Sequence, residues 1–369
     1  MSSSKCTLHI SLDIIEENYC ALSRACPNSE TGASVKANCY GLGMKQISPV
    51  LKKSGCKHFF VTNIEEGVGL RKILGSDINI YVLNGVFAEE TKIFKEHGLV
   101  PVLNHLAQIR IWQEFANKLN HTLPCFIHFD TGMHRLGMPE AESANLVQTD
   151  VAGLDVLCVM SHLASGEEPD NLYNKKQLEK FIKLANKFPN AKRSLANSSG
   201  IFLGHDYQFD LVRPGAAIYG INPTPKTNEA TIKNPVQLFA PIIQIHQLPF
   251  GESAGYNSIY TNSRRESCPI ATIPMGYADG FLRCLSNKFT VHINGHKAPV
   301  IGRVSMDLVI IDVSLVPAKD LFLGQKVEVI GNNCTPDAMA KIAQTNAHEI
   351  LTRLGDRLER IYTNLSLLH

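Results

Sequence analysis

A lysine stands in SVKANCYGLG, Ser34 to Gly43, between a short apolar run and a turn punctuated by glycine. A lysine amine is a nucleophile only when deprotonated, and a dry site moves its pKa toward that form. Similar placements recur further along the chain. Asn84, Asp130 with Arg135 just beyond it, His162, Asn197 with Ser198, and Arg213 all lie on or at the ends of short apolar or β-branched runs. Singly, each has an ordinary reading: a strand-end lysine is mostly a surface residue, and an isolated histidine mostly a hydrogen-bonded core side chain. Collected on one rim, cations, an imidazole, hydroxyls and glycine-flanked N–H groups make a site for an anionic, amine-reactive ligand.

The elements that must collect them are legible in the pattern. The runs cover Ala33 to Ala37, His58 to Thr62, Asn79 to Asn84, Val100 to Asn104, Cys125 to Asp130, Asp155 to His162, Arg193 to Asn197 and Leu211 to Gly220. Between them lie segments of helical periodicity such as NKKQLEKFIKLANKF, whose Leu178, Phe181, Ile182, Leu184 and Ala185 share one face. Eight such strand–helix repeats predict a (β/α)8 barrel of the TIM type, with its chemistry at the carboxyl ends of the strands. After about Pro235 the texture changes to LFAPIIQIHQL, IATIPMGY, FTVHI, PVIGRVSM, LVIIDV and KVEVIG, strand-like runs without intervening helices. A helical stretch, PDAMAKIAQ, and a last segment, HEILTRLGDRLERIYTN, close the chain. The expected division is a cofactor-binding α/β barrel over residues 1–234 and a mostly β domain over residues 235–369.

Composition narrows the partners. With 36 basic and 34 acidic residues and no long run of one sign, the chain carries no footprint for nucleic acid or a membrane surface. The first residues lack the unbroken apolar stretch of a signal peptide, and no segment reaches bilayer length, so a cytoplasmic protein is expected. Ten cysteines without a CxxC pair and fourteen histidines without a compact ligand spacing point to no metal site. Barrels commonly bind phosphate in the loops after strands seven and eight, here Asn197-Ser198-Ser199-Gly200 and Pro214-Gly215-Ala216. Phosphate beside a buried lysine suggests pyridoxal 5′-phosphate, held as a Schiff base by Lys36, with Arg213 toward the pyridine nitrogen.

Taken together, the motifs resemble those of the bacterial alanine racemase family over nearly the whole chain. VKANCYGLG is similar to the cofactor-lysine motif, DTGMHRLG to an arginine motif after the fifth strand, VRPGAAIYG to one on the eighth, and GYADG and GRVSMD to signatures of the C-terminal domain. The resemblance implies a racemase that interconverts L- and D-alanine for peptidoglycan, with Lys36 and Tyr256 as its two bases. It implies that Tyr256, in AGYNSIYT, reaches the site from the other subunit of a homodimer. Tyr40, Asn197, Ser198, Gly215 and Ala216 match cofactor-phosphate contacts, Arg213 the pyridine-nitrogen partner, and His162 the residue that buttresses it. Arg135 matches a contact to the cofactor phenolate on the substrate side, Met306 the backbone N–H that meets the substrate carboxylate, and Tyr277, Arg303 and Asp307 the entrance.

Two positions depart from the family pattern. His128 stands where many members have a carbamylated lysine that orients the strand-five arginine; a bound anion or a neutral imidazole are the substitutes open here. His348 stands where a tyrosine usually touches the phosphate and entrance, and its titration would make cofactor binding depend on pH near neutrality. The rival readings are a racemase of another small amino acid such as serine, a barrel decarboxylase of basic amino acids, and a PLP carrier without turnover. Arg213 opposes the decarboxylase, which resembles this chain but places an acidic residue at the ring nitrogen. The β-rich second domain opposes the carrier, typically a barrel alone. Dinucleotide binding finds only GxG in YGLG.

Overall fold

The computed structural model describes residues 5–146, 148–227 and 230–363. Ile15–Lys233 form one unit; the residues up to Ile14, together with those from Asn234 onward, form the other. The expected division at residues 234 and 235 put the first residues with the barrel. In the structure β1, Thr7–Ser11, lies in the sheet of the second unit. Its Leu8 and Ile10 are fully buried, and an alternating strand of that kind must find a sheet face to cover.

The first unit is the barrel. Its strands are β2 (Glu30–Thr31), β3 (Ala33–Ser34), β4 (His58–Val61), β5 (Asn79–Val82), β6 (Leu99–Leu103), β7 (Leu123–His128), β8 (Leu154–Met160), β9 (Lys192–Ser194) and β10 (Leu211–Val212). The strands from β3 to β9 pair in parallel, in chain order, and β10 pairs in parallel with β2. The ring closes through backbone bonds beyond these ladders: Gly32 N–H donates to Val212 O, Ser34 N–H to Pro214 O, and Arg213 N–H to Ala196 O. Gly32 is needed at the closure, because a Cβ there would lie 2.8 Å from the Phe60 ring and 2.9 Å from His58 O.

All eight expected strands are present; six are shorter than their apolar runs, while β6 and β7 are as long as theirs and begin one and two residues earlier. The eighth stops at Val212 because Pro214 has no N–H to give and Ala216–Tyr219 coil into a 3-10 turn. The interior is filled by Phe60, Tyr81, Val102, Phe126 and Met160 among others, with the Tyr81 ring 4.9 Å from Phe60 and 4.2 Å from Phe126. The core is a plug, which leaves the strand ends for chemistry.

Helices come after most strands, including Met44–Lys53, Ile64–Leu74, Leu106–Leu119 and Leu172–Ala185. The last begins at Asn171, whose side chain accepts the Tyr173 N–H, and buries Asn174, Gln177, Leu178, Phe181, Leu184 and Ala185. Ile182, expected on that face, is exposed; the buried stripe advances by three and four residues and passes it by. Gln177 sits inward instead, donating to Thr131 Oγ1 and His162 O and accepting from Ala164 N–H. Among the described residues no helix is long and apolar enough to cross a membrane.

The second unit is built on a nine-stranded sheet. Its further strands are β11 (Val236–Pro241), β12 (Gln244–Leu248), β13 (Ser253–Ala254), β14 (Tyr260–Thr261), β15 (Cys268–Ile273), β16 (Thr290–Ile293), β17 (His296–Ile301), β18 (Val309–Asp312), β19 (Lys326–Ile330) and β20 (Glu359–Thr363). The order is β12-β15-β18-β17-β16-β19-β11-β1-β20, with β13 and β14 a separate hairpin. PDAMAKIAQ is a helix over Pro336–Ala343, and the last expected segment resolves into a helix, Ala347–Thr352, and β20; its Asn364 lies outside the described residues. IATIPMGY and PVIGRVSM stop being strands at Ile273 and Ile301, and each run then continues as loop.

Candidate active site

Lys36 sits just beyond β3, where the chain leaves the sheet in an uncommon way. Ala37, Asn38, Cys39 and Tyr40 all have positive φ, from 50° to 56°, a left-handed turn made without glycine. Such residues cost roughly 1–2 kcal/mol each, so the surroundings must over-determine the turn. The Glu66 carboxylate accepts the N–H of Ala37 at 2.6 Å and of Thr62 at 2.8 Å. Asn38 Oδ1 accepts Met44 N–H at 2.7 Å, and Cys39 and Tyr40 are buried. The Lys36 amine is held below the ordinary lysine pKa by burial first and by the Arg135 charge second, with Glu66 opposing. Both leading causes favour the neutral, nucleophilic amine.

Next to this turn lies a cradle of small groups. Ser198 Oγ accepts Gly215 N–H at 3.0 Å and Ala217 N–H at 3.2 Å, and Asn197 Oδ1 accepts Gly200 N–H. A Cβ on Gly215 would lie 2.5 Å from Tyr40 Oη and 3.0 Å from Ser34 Cβ. The Tyr40 ring rests 4.7 Å from that of Tyr219, and burial pushes its hydroxyl up to about 12, so it stays a neutral donor.

Arg213 is buried at the end of β10. Its guanidinium donates to Ser194 Oγ and, at 2.6 Å, to Ser161 O. Burial lowers its pKa to about 10, which leaves it protonated at neutral pH. His162 is held well below its ordinary pKa by burial, then by Arg213, Arg135, His128 and Lys36. His128 is lowered to about 3 by burial and then Arg213, with Asp130 opposing. Its Nδ1 lies 2.8 Å from Asn104 Oδ1, while Asn104 Nδ2 donates to Leu83 O and Val102 O. That arrangement puts the imidazole proton on Nδ1 and leaves Nε2 a lone-pair acceptor. His128 is therefore a neutral imidazole. Two guanidiniums, the Lys36 amine and two neutral imidazoles face the same end of the barrel, a field suited to a phosphate and a carboxylate.

The other rim residues divide. Asp130 accepts Gly132 N–H at 2.8 Å and His134 N–H at 3.1 Å, so it shapes the loop that presents Arg135. The Asn84 side chain is exposed; its backbone carbonyl accepts from Gln108. Sequence reasoning missed Glu66, Asn104, Ser161 and Ser194. Asn104 ends an expected strand, and Glu66 comes after one in TNIEEGVGLR; by type and place alone an Asn or Glu there carries no meaning beyond a helix cap or turn.

In the second unit, three loop segments come together. Tyr256, 68% exposed, is preceded by Gly255, where a Cβ would lie 3.1 Å from Arg303 N. Tyr277 N–H donates to Ser305 O and Ala278 N–H to Met306 O, both at 3.1 Å. A Cβ on Gly276 would stand 2.2 Å from Met306 O, so only glycine permits this approach. Arg357 holds Asp307 at 2.7 Å. Tyr256, Tyr277, Arg303, Met306 and Asp307 thus share one end of this unit, and half-buried His348 lies on the helix Ala347–Thr352.

A parallel barrel that ends in an amine of lowered pKa, a buried guanidinium and a glycine cradle defines an amino-acid enzyme of the pyridoxal-phosphate barrel class. Comparison with known proteins specifies it. The profiles described as "Alanine racemase, N-terminal domain" and "Alanine racemase, C-terminal domain" match residues 10–223 and 235–362. Alanine racemases of Rickettsia canadensis and Rickettsia akari are 51% and 52% identical, over 98% and 97% of this chain and 99% of each relative. The alanine racemase of Bartonella henselae, solved with covalently bound pyridoxal phosphate, is 38% identical with a TM-score of 0.93, covering 98% of this chain and 100% of that one. The biosynthetic alanine racemase of Pseudomonas aeruginosa is 29% identical with a TM-score of 0.89, over the same shares. The chain belongs to the alanine racemase family. It is an isomerase, and its reaction is the interconversion of L- and D-alanine.

Proposed function

We propose that Lys36 and Tyr256 are the two acid–base groups of this racemisation, one on each face of the substrate. Removing the Cα proton from one face and returning one to the other is most simply done by two bases on opposite sides. Pyridoxal 5′-phosphate, when bound, supplies the electron withdrawal that acidifies Cα. The residues suit it: Lys36 for covalent attachment, Tyr40, Asn197, Ser198, Gly215, Ala216 and His348 around its phosphate. The observation that carries the assignment is the lowered Lys36 pKa in a turn fixed by Glu66, beside the Gly215 cradle.

Arg213 would hold the pyridine nitrogen of the bound cofactor, with His162 as its buttress. A guanidinium has no lone pair to accept with, so its partner nitrogen stays an acceptor and unprotonated. This restrains side reactions and suits an enzyme that must return its substrate unchanged in constitution. Arg135, with neutral His128 behind it, orients the cofactor phenolate and the substrate. The Met306 N–H receives the substrate carboxylate, and Tyr277, Arg303 and Asp307 form the entrance. Tyr256 serves the site of a partner copy in a homodimer; its exposure supports this, since a base buried in its own unit could not. The barrel domain carries the cofactor and the mostly β domain the second base. A cytoplasmic enzyme that supplies D-alanine for peptidoglycan agrees with ten cysteines that are all free thiols.

The test is to incubate the PLP-loaded protein separately with L-alanine and L-serine and to monitor each D enantiomer by chiral chromatography. D-alanine forms fastest, and Lys36→Ala and Tyr256→Phe lose it. Full activity in Tyr256→Phe, or in a stable monomer, refutes the two-base dimer.

A further inference from the structure

The Ser305–Met306 peptide is oriented from one side. Its carbonyl accepts Tyr277 N–H at 3.1 Å, and in a trans peptide the N–H points the opposite way. Among the described residues the Met306 N–H meets no acceptor, and Met306 is 53% exposed. Met306 and Asp307 form the two-residue tip of a tight turn, closed by Ser305 N–H to Leu308 O and by the Ser305 hydroxyl. The Met306 carbonyl at this tip accepts Ala278 N–H at 3.1 Å, and beyond the backbone the further hold on the tip is the one on the Asp307 side chain.

That grip comes from Arg357, in the loop between the helix Ala347–Thr352 and β20. Its Nε and Nη2 hold both oxygens of Asp279 at 2.8 and 2.9 Å, and its Nη1 reaches Asp307 Oδ1 at 2.7 Å. Asp279 is buried and also accepts Gly276 N–H, while its carbonyl accepts Gly355 N–H at 3.2 Å. One face of the guanidinium fork is therefore anchored in the fold, and the remaining nitrogen is left to steer a loop tip.

We propose that Arg357 is a positioning residue for substrate binding: by holding Asp279 and Asp307 at once it locks the 305–308 turn against the 276–279 turn and aims the Met306 N–H. The proposal rests on the reading that this N–H receives the substrate carboxylate. A fork with five fixed donors can grip two carboxylates together, and an ammonium cannot do so with the same geometry.

The test uses the holoenzyme. Arg357→Gln raises KM for L-alanine about tenfold with kcat within about threefold, and Arg357→Lys gives an intermediate rise. The inhibition constant of propionate, which keeps the carboxylate and lacks the amine, rises by the same factor. The cofactor's visible absorption and dissociation constant stay unchanged. Asp307→Asn raises KM less and adds nothing in the Arg357→Gln background, because both remove one contact. If Arg357→Gln does not fold, Asp307→Asn and Arg357→Lys carry the comparison. Unchanged KM and propionate inhibition in the folded variants overturn the proposal, as does a fall in kcat with KM unaltered. Met306→Pro separates the two layers, since proline has no backbone N–H to offer the substrate. If Met306→Pro leaves KM and propionate inhibition unaltered, the carboxylate reading falls and the proposal with it. If it raises both while the Arg357 and Asp307 variants do not, the reading stands and the positioning role falls.

Discussion

Replacing Glu66 by glutamine tests whether the backbone beneath Lys36 is under tension. The left-handed run from Ala37 to Tyr40 carries an intrinsic cost of about 4–8 kcal/mol if each of its residues costs roughly 1–2 kcal/mol. Against it stand two charge-assisted bonds from Ala37 and Thr62 to the Glu66 carboxylate, worth about 1.5–3 kcal/mol each. Glutamine keeps one acceptor oxygen and turns an NH2 group toward the other N–H, so about 2–3 kcal/mol is lost where the turn begins. If that loss appears as displacement of Lys36, kcat/KM for L-alanine falls on the order of 30- to 150-fold. A second effect has the opposite sign. The Glu66 charge favours protonated Lys36, so its removal lowers the amine pKa further and, acting alone, would improve covalent attachment at neutral pH. The assay is therefore twofold: racemisation kinetics at saturating cofactor, and titration of the apoprotein with pyridoxal phosphate read by visible absorption. Weaker attachment together with lower kcat/KM is the expected result. Attachment as tight as or tighter than that of the parent, with kcat/KM within about twofold, refutes the tension argument.

The buried imidazole of His128 makes stability depend on acid. Its folded pKa of about 3 lies below the unfolded value, so the unfolded chain binds the extra proton; the contribution is intact above about pH 6.5 and is lost as pH falls toward 3. The loss amounts to about 2 kcal/mol by pH 5, and urea midpoints fall more steeply between pH 7 and 5 for the parent than for His128→Gln. Gly215→Ala places a methyl against Tyr40 Oη and weakens cofactor affinity at least about tenfold in an absorption titration, with the strand and its neighbours still folded by circular dichroism.

Short-range chemistry decides how much of the molecule is legible in its sequence. Apolar runs and their polar ends located all eight barrel strands and the lysine, the arginines and the serine that meet at the rim. Periodicity could not stop the eighth run at Val212, because Pro214 and the turn after it interrupt a pattern that stays apolar to Tyr219. The left-handed turn left no trace, since nothing in Ala37-Asn38-Cys39-Tyr40 demands positive φ; its cause is Glu66, almost thirty residues away. Ser161 and Ser194 were silent for the same reason, as small polar residues whose meaning is a partner, Arg213, contributed by another strand. The resemblance placed Asp307 at the entrance, yet Arg357 emerges only when the geometry shows what holds it.

The placement of β1 bears on how the chain is made. Thr7 pairs with Glu359 on one side and with Phe239 on the other, so a strand synthesised early has no neighbour until very late. Closing so wide a gap through a floppy polypeptide is slow, and the entropic toll rises with the intervening length. A barrel that folds while the ribosome is still at work shortens the gap from over two hundred flexible residues to one compact body, leaving the early strand to dock as a latch. Until it docks, β11 and β20 present bare edges, which is when the nascent enzyme is most exposed to aggregation.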